Sequence, residues 1–209
     1  MLFFERDSDM KKNIEYYFSP MSPWAYLGHE RLNTIATRVG ANIELRPVDP
    51  MKLFAATGGV PLAKRPVQRQ KYRIYELNRW KSFLQSPIII EPDFFPYNPS
   101  TASLVVIATD KLFGQDKGML ITQKLMEGCW VHNRDMGSDE EIRNCIEACD
   151  IDSEAVMQSI TTQETMNQYD ENTELAIKND VFGAPTYRID GEPFWGQDRL
   201  DFVERALLD

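Results

Sequence analysis

The chain has 209 residues, 43% hydrophobic and 26% charged, enough for one large core or two lobes of an ordinary globular protein. Its formal net charge of −9 argues against nucleic acid or an anionic membrane surface as a partner, and no apolar run reaches the length of a spanning helix. The 3 cysteines, Cys129, Cys145 and Cys149, form an odd count without framework spacing, which fits a reducing, cytoplasmic compartment.

Residues 1–12 are polar, too short and too acidic for a secretion signal, and are expected to form a loose leader. The apolar run Ile14 to Phe18 reads as a buried strand over about 14–18. Ser19-Pro20-Met21-Ser22-Pro23 then turns into a helix over about 23–39, with Leu27, Leu32, Ile35, Ala36 and Val39 at helical spacing. Ser22 is placed to cap that helix, and Pro23 sits where a missing N–H is harmless. A hydroxyl at a helix N-terminus stands among unpaired amides and the positive end of the dipole, a setting that favours an anion such as a thiolate. On this stretch alone, a plain cap is the favoured reading of Ser22.

Gly40 is a natural helix stop, and Asn42 to Val48 alternates with a period of two, as a strand does. The N-terminal unit is therefore βαβ, with parallel strands. Met51 to Phe54 reads as one helical turn before a Gly58-Gly59-Val60-Pro61 turn. Next comes a basic stretch carrying Lys64, Arg65, Arg69, Lys71 and Arg73. In so acidic a chain it is either a solvated face or a cradle for a carboxylate ligand.

Helical patterns follow over about 72–85, 100–112, 116–131, 138–148, 152–160 and 163–180, separated in part by a Pro- and aromatic-rich loop near 88–99. Cys145 and Cys149 lie four apart in one of them, but neither of the 2 histidines is close in sequence, which argues against a metal site. After Gly183-Ala184-Pro185, Thr186 to Ile189 is a strand, Asp190-Gly191 a hairpin turn, and Pro193 to Trp195 a short edge strand. An amphipathic helix over 197–208 closes a ββα unit.

A βαβ unit, a helical block and a ββα unit compose an α/β, thioredoxin-like fold with an inserted helical domain. The boundaries expected are 13–50 plus 181–209 for the thioredoxin-like domain and 51–180 for the insertion. The chain resembles the 2-hydroxychromene-2-carboxylate isomerases and the kappa-class glutathione transferases over roughly residues 13–208, which implies the DsbA-like type of that fold. The resemblance rests on Phe18 to Leu27, Asn78-Arg79-Trp80, Val181 to Thr186 and Trp195 to Leu200, in that order and spacing.

That resemblance implies glutathione as the cofactor, a homodimer, and an aromatic carboxylate as the substrate. It makes Ser22 the active-site serine and Pro185 a cis-proline. The backbone of Ala184 pairs with the cysteinyl part of glutathione, while Gln197, Asp198 and Arg199 hold its γ-glutamyl end. Glutathione would add reversibly to a conjugated carbon, turning a double bond into a rotatable single bond, with Ser22 donating to the sulfur. Lys64 and Arg65 match the pair that meets the substrate carboxylate, although Lys64 stands where the isomerases usually carry asparagine. Trp80 and Tyr97 are further candidates to line an aromatic pocket.

A thiol–disulfide oxidoreductase needs a low-pKa cysteine at the helix start, and this chain has Ser22-Pro23-Trp24-Ala25 there. A kappa-type transferase or peroxidase and a non-catalytic DsbA-like binding module remain as alternatives, because fold alone never decides function.

Overall fold

The computed structural model describes residues 12–208, so the expected leader lies outside the described residues apart from Lys12. The chain runs β1 (Asn13–Phe18), α1 (Pro23–Val39), β2 (Asn42–Pro47), α2 (Pro50–Thr57), a 3-10 turn (Leu62–Lys64) and α3 (Val67–Phe83). Then come α4 (Ser100–Phe113), α5 (Gln115–Trp130), α6 (Asp139–Glu147), α7 (Ser153–Ser159) and α8 (Gln163–Lys178). It closes with β3 (Thr186–Ile189), β4 (Glu192–Trp195), a second 3-10 turn (Gln197–Arg199) and α9 (Leu200–Leu208).

The sheet order is β2-β1-β3-β4, with β1 parallel to β2 and antiparallel to β3. This is the thioredoxin-like α/β fold expected from the βαβ and ββα units. β1 is covered on both faces: Ile14, Tyr16, Tyr17 and Phe18 are all fully buried, so an apolar run without strict alternation suits it. The Tyr16 ring stacks on Phe18 and on Tyr187 of β3, at centroid distances of 4.3 and 5.4 Å. The β3–β4 hairpin turns on Asp190 and Gly191, whose φ angles of 49° and 91° are the two left-handed residues such a tight turn requires.

Three helices differ from the periodicity-based expectation. α2 is a full two turns, because Asp49 caps it by accepting from the amides of Met51 and Lys52 and it runs on to Gly58 at φ 77°. α3 starts at Val67, five residues before the expected 72. The Pro66 carbonyl accepts from Arg69 and Gln70, and Gln, Arg and Lys all propagate a helix well without an apolar face. The expected closing helix opens instead as the 3-10 turn over 197–199. One continuous buried cluster joins the sheet and α1 to the helices between, from Ile14 and Leu32 through Leu125 and Trp130 to Ile146.

The contact that ties the two ends of the fold together is at Gly28. A Cβ there would stand 2.6 Å from the Tyr187 hydroxyl and 2.8 Å from Gln197 Cβ. Gly28→Ala is expected to lower stability by about 1–3 kcal/mol in urea denaturation, overpacking outweighing the gain in helix propensity.

Its neighbour His29 is also buried, and Nε2–H donates to the Met119 carbonyl at 2.9 Å, leaving Nδ1 without a partner. Burial pushes the imidazole down from 6.5 to about 4. The unfolded ring takes its proton near 6.5 and the folded ring only near 4, so stability is full above 6.5 and drains as pH falls between them. His29→Gln keeps a donor for Met119 and is expected to flatten that slope, by up to ~3 kcal/mol at pH 4 relative to the parent, in paired denaturation series.

Candidate functional site

A cleft of about 560 Å³ opens where three loop ends meet. The segment before β3 supplies Phe182, Gly183, Ala184 and Pro185, and the end of β4 with the turn after it supplies Trp195 through Arg199. Trp24 enters from the first turn of α1. The remaining wall comes from α2 and its following loop (Phe54, Gly58 to Val60) and from Arg65, Arg69, Glu76 and Trp80 in and before α3.

Of the residues singled out from sequence, Ala184, Pro185, Gln197, Asp198, Arg199, Arg65 and Trp80 therefore share one cleft. Ser22 and Lys64 are not among its lining residues. Ser22 sits two positions before Trp24 as the cap of α1; Lys64 is exposed at the end of the 3-10 turn. Tyr97 is buried and lies outside the cleft. Trp24, Phe54, Arg69, Phe182 and Trp195 line it without having been singled out as site residues. Arg69 carried a legible signal, its place in the basic stretch read as a possible carboxylate cradle.

Ser22 Oγ accepts from the Ala25 amide at 3.2 Å, which uses a lone pair and leaves the hydroxyl proton to donate elsewhere. The Ala184–Pro185 bond is cis. The Pro185 carbonyl accepts from Gly196 N–H at 2.9 Å, and Thr186 Oγ1 donates to the Gly183 carbonyl at 2.7 Å. Among the described residues, neither main-chain group of Ala184 is paired, so an extended ligand backbone can bond to it.

Gln197 is buried and turned inward, its Oε1 accepting from Arg31 at 2.6 Å and its carbonyl from the same guanidinium at 3.3 Å. Its side chain and carbonyl are thus both engaged within the protein. Asp198 and Arg199 are half-exposed and form a loose pair at 3.5 Å, one anion and one cation side by side on the wall. Such a pair matches the ammonium and carboxylate of an amino-acid end.

Arg65 Nε donates to the Val60 carbonyl at 2.7 Å, which fixes the plane of its guanidinium. Burial and the charge of Arg69 hold its pKa below the usual arginine range. Arg73, a turn beyond Arg69, has its Cζ 5.1 Å from the Phe95 ring, and a buried Nη2 without a partner. Burial, with Arg65 nearby, pushes it down to about 10. The protein's thiols take no part: burial pushes Cys129 up to about 12 and Cys145 up to about 11, and none of the three lines the cleft. Thiol chemistry in this cleft would need a thiol carried by a ligand.

Residues 13–208 match the DSBA-like thioredoxin domain family. The chain belongs to that family. Among its relatives, the 2-hydroxychromene-2-carboxylate isomerase of Sphingobium xenophagum is 31% identical over 96% of this chain and 100% of that one. The human glutathione S-transferase kappa 1 is 23% identical, over 95% of this chain and 92% of its own. A solved structure of a 2-hydroxychromene-2-carboxylate isomerase superposes with a TM-score of 0.76 at 24% identity, over 93% of this chain and 94% of that one. These similarities group the chain with the isomerase and kappa-transferase members of the family, and with enzymes.

Within this family frame, Arg31 is the strut of the cleft. It holds the Gln197 turn through two hydrogen bonds and lies 5.9 Å from the Trp80 ring on another part of the wall. Arg31→Met is expected to lower stability by about 1–3 kcal/mol, the worth of a charged hydrogen bond. Tryptophan emission should shift with it, because Trp80 loses its cation; an unchanged spectrum with unchanged stability would contradict the strut.

Proposed function

We propose that the protein is a glutathione-dependent isomerase acting on 2-hydroxychromene-2-carboxylate or a related aromatic carboxylate, giving trans-o-hydroxybenzylidenepyruvate from the former. The observation that carries this reading is a cleft without a thiol of its own that gathers the unpaired Ala184 backbone and the Asp198–Arg199 pair on one wall. Those features fit a γ-glutamyl peptide: Asp198 accepts from its ammonium, Arg199 and the turn amides receive its carboxylate, and Ala184 pairs with its cysteinyl backbone. When bound, glutathione supplies a thiol that adds reversibly to a conjugated carbon and so frees a double bond to rotate.

The chain's own residues prepare that chemistry. Ser22 keeps a free O–H beside the N-terminus of α1, where a donor and the helix dipole both favour a thiolate over a thiol. No acidic residue occupies the first turn of α1 to oppose it. Trp24, Trp80 and Trp195 line the cleft and offer a planar aromatic substrate apolar surface to pack on.

Ultraviolet-followed isomerisation, with and without added glutathione, tests the reading. Rapid conversion only with glutathione is expected; conversion without it breaks the thiol mechanism. Ser22→Ala is expected to lower the glutathione-dependent rate at neutral pH by about 10- to 100-fold, equivalent to one hydrogen bond to a charged group. The bound thiol should titrate higher in the variant, seen by thiolate absorbance.

The kappa-transferase relatives support a second reading, conjugation of electrophiles or reduction of hydroperoxides at the same glutathione site. Turnover of a chloronitrobenzene without isomerase activity would favour it. An absence of glutathione binding at millimolar concentration would instead leave a binding module.

A further inference from the structure

We propose that Arg65 and Arg69 form a carboxylate clamp in the cleft, with Arg69, not Lys64, as Arg65's partner in selecting an anionic ligand. The inference rests on the reading of the cleft as the site of an aromatic carboxylate. Both arginines line the cleft, Arg65 from the extended residue after the 3-10 turn and Arg69 from the first turn of α3, whereas Lys64 is not among the lining residues. Arg65 is anchored through Nε to the Val60 carbonyl, which leaves its two terminal nitrogens for a ligand. Neither guanidinium has an ion-pair partner among the described residues.

The electrostatics are those of an incomplete site. Arg65 and Arg69 repel each other, and Arg65 and Arg73 repel each other. Glu91 is the carboxylate that offsets this at Arg73; Glu76, which also lines the cleft, is already bound to Arg79. A ligand carboxylate relieves the repulsion and takes up paired N–H donors in the planar geometry that guanidinium groups favour. Phe54 adjoins this corner, where it packs against Gly59 next to Val60, and it also lines the cleft. The ligand chemistry indicated is a carboxylate carried next to an aromatic ring, and the glycyl carboxylate of glutathione is the other source of the same group.

The test compares trans-2-hydroxycinnamate with its neutral amide, each titrated against the full chain by quenching of tryptophan fluorescence. Glutathione is titrated separately by calorimetry. Arg69 is exposed, so Arg69→Met should fold normally, which far-ultraviolet circular dichroism checks; Lys71→Met on the same helix controls for lost charge. The acid should bind the parent more tightly than the amide. Arg69→Met should weaken the acid about tenfold and leave the amide unchanged, while Arg69→Lys recovers part of the loss.

Weakening of the acid with glutathione binding intact assigns the clamp to the aromatic ligand. Weakening of glutathione with the acid intact assigns it to the glycyl carboxylate. Unchanged binding of both, or loss of the acid in Lys64→Met but not in Arg69→Met, overturns the proposal. Because these are equilibrium measurements without turnover, a failure of the isomerase reading shows separately, as absent glutathione-dependent conversion in the parent.

Discussion

The close approach of α1 to the turn after β4 is the constraint on which the site depends. α1 begins beside the cleft with Ser22 and Trp24, and the turn carries Gln197, Asp198 and Arg199. Gly28 lets the two meet with the Tyr187 hydroxyl and Gln197 Cβ where a side chain would otherwise stand. Arg31, less than one turn further along α1, then grips the turn by its side chain and carbonyl. Van der Waals contact sets the distance, and the charged hydrogen bonds set the rotation. Neither would suffice alone, since packing is indifferent to small slides and a long arginine tolerates them.

On the proposed reading, that arrangement lets a DSBA-like thioredoxin scaffold serve a different chemistry. In a thioredoxin-like fold the N-terminus of α1 is a place where a thiolate is stabilised, and this chain keeps the helix end while placing a hydroxyl there. Its three cysteines are all in the interior of the helical block, where burial keeps the thiols protonated and inert. The scaffold therefore offers donors, a free backbone edge at Ala184 and a zwitterion-matching pair at Asp198–Arg199. On the proposed reading, the nucleophile comes with the ligand.

Much of this was legible in the sequence because it is local. The Ser22-Pro23 cap, the Asp190-Gly191 hairpin and the alternation of β2 are set by residues within a few positions of one another. The family resemblance supplied the cis bond before Pro185, which proline chemistry alone would not predict. The start of α3 was not legible, because its first turns are polar and solvated: apolar periodicity reports only faces that are buried. Leu77 is the one residue of α3 that is buried, so the helix held too weak a pattern to mark its own beginning. Arg69 was visible as one charge of the basic stretch and not as a wall of the cleft, since a run of cations in sequence does not show what each side chain meets. Lys64 illustrates the converse: adjacency to Arg65 in sequence places it at the end of a 3-10 turn, outside the cleft.

The remaining tension is between a chain of net charge −9 and a cleft that collects arginines. At physiological ionic strength the screening length is about 8 Å, so most of the acidic surface is felt weakly inside the cleft. Arg65, Arg69 and Arg199 lie on its walls, close to any ligand they receive, and partial burial at Arg65 strengthens the field it exerts there. The cleft also carries Glu76 and Asp198, the latter paired with Arg199, so Arg65 and Arg69 are its cations without a carboxylate partner among the described residues. Arg69 and Arg199 keep much of their surface in solvent, which screens them at a distance, while Arg65 is held closer to the wall. On the proposed reading, an anionic ligand is therefore recognised at contact, by the geometry of its charged groups, and little steered from afar.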